Sequence, residues 1–166
     1  WANYRAAFPD LPANSPYVAQ PDNVKNLFQN GHVVENSVSI SSGGENARIA
    51  ATFSHLDQDG YIPYSGFDRT SVSVGSSGRL ANGITINGNL TYTRSNTEGP
   101  FFGENGASSP DAASSFARTL WLGRTWNTDL GFENPSNGNS VFFNTNAIDH
   151  PLWSWKHNGL DERNDR

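Results

Sequence analysis

The chain of 166 residues contains no cysteine, so neither a disulfide framework nor a thiolate metal site can hold it together. Charge is also scarce. Asp, Glu, Lys and Arg make up 16% of the residues, against ~25% in ordinary soluble domains. The net charge of −5 argues against a nucleic-acid partner. No stretch approaches the ~18 consecutive apolar residues of a transmembrane helix. The start, Trp1-Ala2-Asn3-Tyr4, has neither the basic segment nor the apolar core of a secretory signal.

Sequence signatures of chemistry are missing too. Ser76-Ser77 stands between Gly75 and Gly78 but lacks the spacing of a nucleophile elbow. No glycine-rich phosphate loop precedes a helix, and the carboxylates are scattered rather than paired for glycoside hydrolysis. His32, His55, His150 and His157 share no metal-ligand spacing. Asp57, Asp59 and Gly60 begin like a calcium loop, but Tyr61 and Pro63 stand where ligands belong and no Glu closes the site. These absences lead to the expectation of a protein that is not an enzyme, with no catalytic residue, no cofactor and no metal.

What is present is Asn, Ser, Thr and Gly, arranged with a period of two. Four stretches of about ten residues alternate apolar and polar side chains: 32–41, 47–56, 69–77 and 84–94. In the first, Val34, Val38 and Ile40 share a face, with Asn36 as a polar intruder. In the second, Ala47, Ile49, Ala51 and Phe53 oppose Arg48, Thr52 and Ser54. The third offers only Val72 and Val74. In the fourth, Ile84, Ile86, Leu90 and Tyr92 alternate with Thr85, Asn87, Asn89, Thr91 and Thr93. The connections run short, long, short, long. Residues 42–46 form a tight turn by composition, 57–66 a longer loop, and 79–83 a second tight turn containing Asn82-Gly83.

About ten residues is the length of a tilted β-strand that crosses a bilayer, and outer-membrane barrels have short turns on one side and long loops on the other. The expected fold class is therefore all-β, an antiparallel transmembrane β-barrel fragment built as a four-strand meander. A soluble extracellular β-sandwich that binds glycans is the alternative. The two differ in what covers the apolar faces: lipid, or a second sheet of the same chain. Four strands cannot close, since the smallest known barrels have about eight, so the chain is expected to be a piece of a larger protein.

The flanks read differently. Residues 1–20 look irregular, broken by Pro9, Pro12 and Pro16. Residues 21–31 predict a short helix from Pro21 to Gly31 with Val24, Leu27 and Phe28 on one face. From Ser95 onward no strand rhythm continues. This tract predicts one short helix at 110–122, with Ser109 as its cap and Ala113, Phe116, Ala117, Leu120 and Trp121 on one face. The organisation expected is an external loop at 1–31, four barrel strands at 32–94 and a long external loop at 95–166.

Several segments then resemble a known family in order and spacing. Pro21-Asp22-Asn23-Val24-Lys25, Phe28 and Gly31 are followed by Asn36-Ser37-Val38-Ser39-Ile40-Ser41-Ser42-Gly43-Gly44, by Asp57-Gln58-Asp59-Gly60, and by Asp68-Arg69. Leu120, Arg124, Asp129-Leu130, Asn134-Pro135 and Gly138 come next, and then Asp149-His150-Pro151-Leu152-Trp153. Together they resemble the early barrel and long external loop of SusC/RagA-type TonB-dependent transporters over roughly residues 21–166. The resemblance implies an outer-membrane importer of oligosaccharides or peptides with a SusD-like lipoprotein partner. It also implies a plug domain and a TonB box that contacts the TonB complex; neither is present in this chain, nor is the remaining barrel. Outer-membrane lipid would be the surrounding medium.

Trp121, Trp126, Trp153 and Trp155 crowd the last tract and are candidates for contact with substrate or partner. Their plainer role is to form that loop's own small core. Arg48, Arg69 and Arg94 are expected to face the lumen, where they steer an anionic substrate or pair with carboxylates.

Overall fold

A computed structural model of the chain describes residues 2–14, 18–100, 119, 122–141 and 149–166. The described residues are mostly β, with five antiparallel strands in one open sheet and few helices. The chain divides into two compact units. A sheet unit comprises Gly31–Asp59, Gly66–Glu98 and Asp161–Arg166, and a loop unit comprises Trp1–Asn30, Gly60–Ser65 and Gly99–Leu160.

The strands are β1 (His32–Gly43), β2 (Ala47–Asp59), β3 (Gly66–Arg79), β4 (Thr85–Pro100) and β5 (Gly159–Asp165), in the spatial order β1-β2-β3-β4-β5. The expected meander of the first four holds, and β1 and β4 do not meet. Register is continuous across the sheet. Val38 lies opposite Phe53, Phe53 opposite Val72, and Val72 opposite Tyr92. The tight turns after β1 and β3 share one end of the sheet, and the β2–β3 connection leaves from the other. In the turn after β3, Gly83 takes φ 86°, a backbone region open to glycine at little cost, and its amide donates to the Leu80 carbonyl at 2.9 Å. Asn82 Oδ1 accepts from the Ile84 amide at 3.1 Å, which closes the connection.

Two corrections concern the sheet. The strands are longer than their apolar rhythm, and β4 runs on to Pro100 through residues expected to begin the long loop. A fifth strand pairs with β4 near the C-terminus, anchored by reciprocal backbone hydrogen bonds between Thr93 and Arg166, both 2.8 Å. Its sequence, Gly-Leu-Asp-Glu-Arg-Asn-Asp, has charged and amide side chains on both faces, so no apolar period marked it.

The loop unit has its own core of Tyr4, Ala7, Leu27, Ile62, Leu122, Trp126, Val141 and Trp155, with Val24, Phe28 and Leu152 packed against it. Residues 2–7, expected to be irregular, form helix α1 (Ala2–Ala7), whose alanines favour the helix while Tyr4 and Ala7 bury one side of it. The helix expected over 21–31 is only a 3-10 turn, Lys25–Leu27, because Phe28 turns extended (φ −96°, ψ 154°). Leu27 is nevertheless buried as its face required. The β2–β3 connection belongs to this core through Ile62, and the Gln29 amide donates to the Tyr61 carbonyl at 2.8 Å. Gly60 allows the Ser65 side chain to press against its Cα, where any Cβ would collide with Ser65 Oγ. A second helix, α2 (Pro151–His157), starts with proline in its first turn and ends with Lys156 and His157, which suit the negative end of the helix dipole. The helix expected at 110–122 lies outside the described residues. Among the described residues, no helix is long and apolar enough to cross a membrane.

Candidate functional site

The register sorts the sheet's side chains into two faces. One carries transverse rows of hydroxyls: Ser37, Ser54, Ser71 and Thr93, then Ser39, Thr52, Ser73 and Thr91. Neighbouring hydroxyls bond one another, with Ser39 Oγ 3.0 Å from Thr52 Oγ1 and Thr93 Oγ1 donating to Ser71 Oγ at 3.3 Å. Arg48 and Arg69 lie on this face, and Arg69 sits 3.7 Å from Glu35 on β1. The expectation that Arg94 joins them is corrected. Arg94 lies opposite Thr70, in the same alternation as Leu90 and Tyr92, and so on the apolar face. Its partner there is Asp165, at 3.9 Å.

The apolar face is bare. Val38, Ile40, Ile49, Phe53, Val72, Ile86 and Leu90 are all exposed, Ile40 at 68% and Leu90 at 70%, values that would be costly in water for a contiguous patch. Among the described residues no second sheet exists to cover them. From Ile86 to Tyr92 the apolar stretch runs ~20 Å along β4, or ~16 Å along a bilayer normal at ~40° tilt. Beyond Phe53 and Tyr92 the same face turns polar. One row is Asn36, His55, Thr70 and Arg94, with His55 Nδ1 3.0 Å from Thr70 Oγ1. The next is Val34, Asp57, Asp68 and Asn96.

The tryptophans take separate roles. Trp155 is fully buried, its ring 5.7 Å from that of Phe28, and Trp126 is 8% exposed with its ring set edge-on to Tyr4 at 5.3 Å. Both are core residues of the loop unit, so the expectation that they touch a substrate or partner is corrected to packing. Trp153 is half-buried. Its Nε1 donates to the Gly138 carbonyl at 2.8 Å, and its ring lies 4.7 Å from that of His157. Trp121 lies outside the described residues.

Polar residues fix the loop unit. Buried Asn23, part of the Pro21–Lys25 segment, donates from Nδ2 to the carbonyls of Gly123 at 2.8 Å and Trp126 at 3.3 Å, and its own carbonyl accepts from Thr128 Oγ1. His150 caps α2: Nδ1 accepts from the Leu152 amide at 3.2 Å, and the His150 amide donates to Ser140 Oγ at 2.8 Å. Burial pushes its pKa down to about 4, so the imidazole stays neutral and remains an acceptor. Lys156 Nζ donates to Glu133 Oε2 at 2.6 Å, which holds the Glu133 carboxyl below and the Lys156 ammonium above their ordinary ranges. Among the described residues, no cluster of three or more His, Asp or Glu could hold a metal ion. Comparison with protein-family models, curated proteins and solved structures gives no match for this chain.

Proposed function

We propose that this chain is part of the wall of a bacterial outer-membrane β-barrel, in an importer of the SusC/RagA, TonB-dependent kind that takes up oligosaccharides or peptides. The observation that carries the reading is the sheet's exposed apolar face, bounded by Phe53 and Tyr92 and backed by a face of neutral hydroxyls. Apolar-out, polar-in alternation over an apolar band ~25 Å tall, edged by aromatics, is the pattern of a barrel wall. The sandwich alternative needs a second sheet over the same face, and the described residues provide none. The order of motifs from Pro21 to Trp153 supports the family within that class. On this reading the protein performs no chemistry of its own. It works with a SusD-like surface lipoprotein and is driven by the TonB complex through segments outside this chain. The loop unit gathers the N-terminal segment, the β2–β3 connection and described residues of the last tract around one core of its own.

The test is made on the intact protein in its own cell. It should fractionate with the outer membrane, and its deletion should abolish uptake of a class of oligosaccharide or peptide while sparing monosaccharides and amino acids. Recovery in a soluble fraction, or uptake unchanged for both classes, would overturn the reading.

A further inference from the structure

Beyond Phe53 and Tyr92 the two faces of the sheet exchange character. The face that carries the apolar band turns polar there, and the hydroxyl face gains apolar side chains. Past the last row of hydroxyls on that face, Leu56 stands between Glu35 and Arg69, and in the following row Gln58 stands between Val33 and Phe67. Val33 and Phe67 are diagonal neighbours of Leu56 on either side, ~7 Å from it, so the three apolar side chains form one patch. Val33 is 59% exposed, and Leu56 and Phe67 are half-buried. The two charges in the set, Glu35 and Arg69, lie 3.7 Å apart and cancel. Gln58 is exposed, and its carboxamide offers both donors and an acceptor.

We propose that this patch seats an extended peptide bearing apolar side chains two residues apart, which makes peptide, rather than oligosaccharide, the substrate class. The proposal rests on the transporter reading above, under which this face lines the lumen. Along the strands the two rows are ~7 Å apart, the spacing of residues i and i+2 in an extended peptide. A peptide lying along the strands therefore sets one apolar side chain on Leu56 and the next between Val33 and Phe67. The Gln58 carboxamide supplies hydrogen bonds to the backbone that joins them. Because Glu35 and Arg69 balance one another, the seat selects neither an acidic nor a basic ligand. A neutral sugar asks for a flat ring to stack on. Val33 and Leu56 are branched aliphatics and offer no flat face.

The test uses the intact protein in its own cell, with uptake measured for three labelled probes at equal concentration. One is a synthetic peptide in which leucine alternates with serine. The second has the same composition with its leucines adjacent, and the third is a neutral oligosaccharide. The alternating peptide should be taken up fastest. Leu56→Asn with Phe67→Asn should slow its uptake roughly tenfold at normal surface abundance, the low end for a lost apolar contact. Val33→Ser, at the most exposed position of the patch, carries the test if the double variant does not reach the surface. It should slow uptake about threefold, the effect of half-burying one valine. Equal uptake of the two peptides, or unchanged uptake in the variants at normal abundance, would overturn the proposal. Uptake of the oligosaccharide and of neither peptide would overturn it too, while leaving the transporter reading standing. Uptake of none of the three, with no other peptide or oligosaccharide lost on deletion, would remove that reading and the seat with it.

Discussion

Acid should loosen the loop unit through His150. The imidazole is fully buried and caps α2 only while neutral, because Nδ1 must accept from the Leu152 amide. Its pKa falls from an ordinary 6.5 to about 4 on folding, by desolvation. Between those values the unfolded chain binds more protons than the folded one, so stability falls as pH falls. The contribution is intact above ~6.5, and at ~1.4 kcal/mol per unit the loss reaches about 3 kcal/mol by about pH 4. His150→Asn keeps a side-chain oxygen that caps a helix well and removes the titration. The assay is urea unfolding between about pH 7 and pH 4, followed by the fluorescence of buried Trp126 and Trp155. Glu133, whose pKa is lowered chiefly by its hydrogen bond from Lys156, loses stability in the same direction, but equally in both proteins. The unaltered protein should therefore fall behind His150→Asn by about 3 kcal/mol across that range. Parallel pH profiles would refute the argument.

Leu27→Ala should cost about 2–5 kcal/mol, read from the same unfolding curves, because Leu27 is 1% exposed in the loop-unit core. Ile86→Arg should cost the folded barrel about 2–4 kcal/mol in a lipid refolding assay and Asn87→Arg much less, since the two residues face opposite sides. Equal losses would remove the face assignment. Trp155→Ala should lower surface abundance, as loss of a buried tryptophan costs about 3–5 kcal/mol. Trp153→Ala should instead reduce uptake at normal abundance, and unchanged uptake would leave Trp153 with a packing role alone.

The sheet was legible in the sequence where one face is apolar and the other is not. Val34, Val38 and Ile40 on β1 and Ile86, Leu90 and Tyr92 on β4 announce both strand and face, because only a period of two separates them from Ser and Asn. Beyond Tyr92 both faces are polar and the signal stops, although hydrogen bonding continues to Pro100 and recruits β5. Arg94 lies in this polar stretch: its charge suggests the polar face, whereas counting in twos from Leu90 places it on the apolar one. The loop unit was harder to foresee. Tyr4, Leu27, Ile62 and Trp155 meet from distant segments, and no local pattern encodes that meeting. Trp126 and Trp155 then follow the ordinary preference of large aromatics for burial.

An introduced cysteine can carry a spin label at Leu90 or at Asn89, adjacent residues on opposite faces of β4. In the intact protein, reconstituted in lipid, collision rates with oxygen and with a water-soluble nickel chelate are measured for each. Oxygen should relax the Leu90 label more strongly than nickel does, with the order reversed at Asn89. A Leu90 label relaxed mainly by nickel, or shielded from both reagents, would contradict the assignment of this face to the membrane.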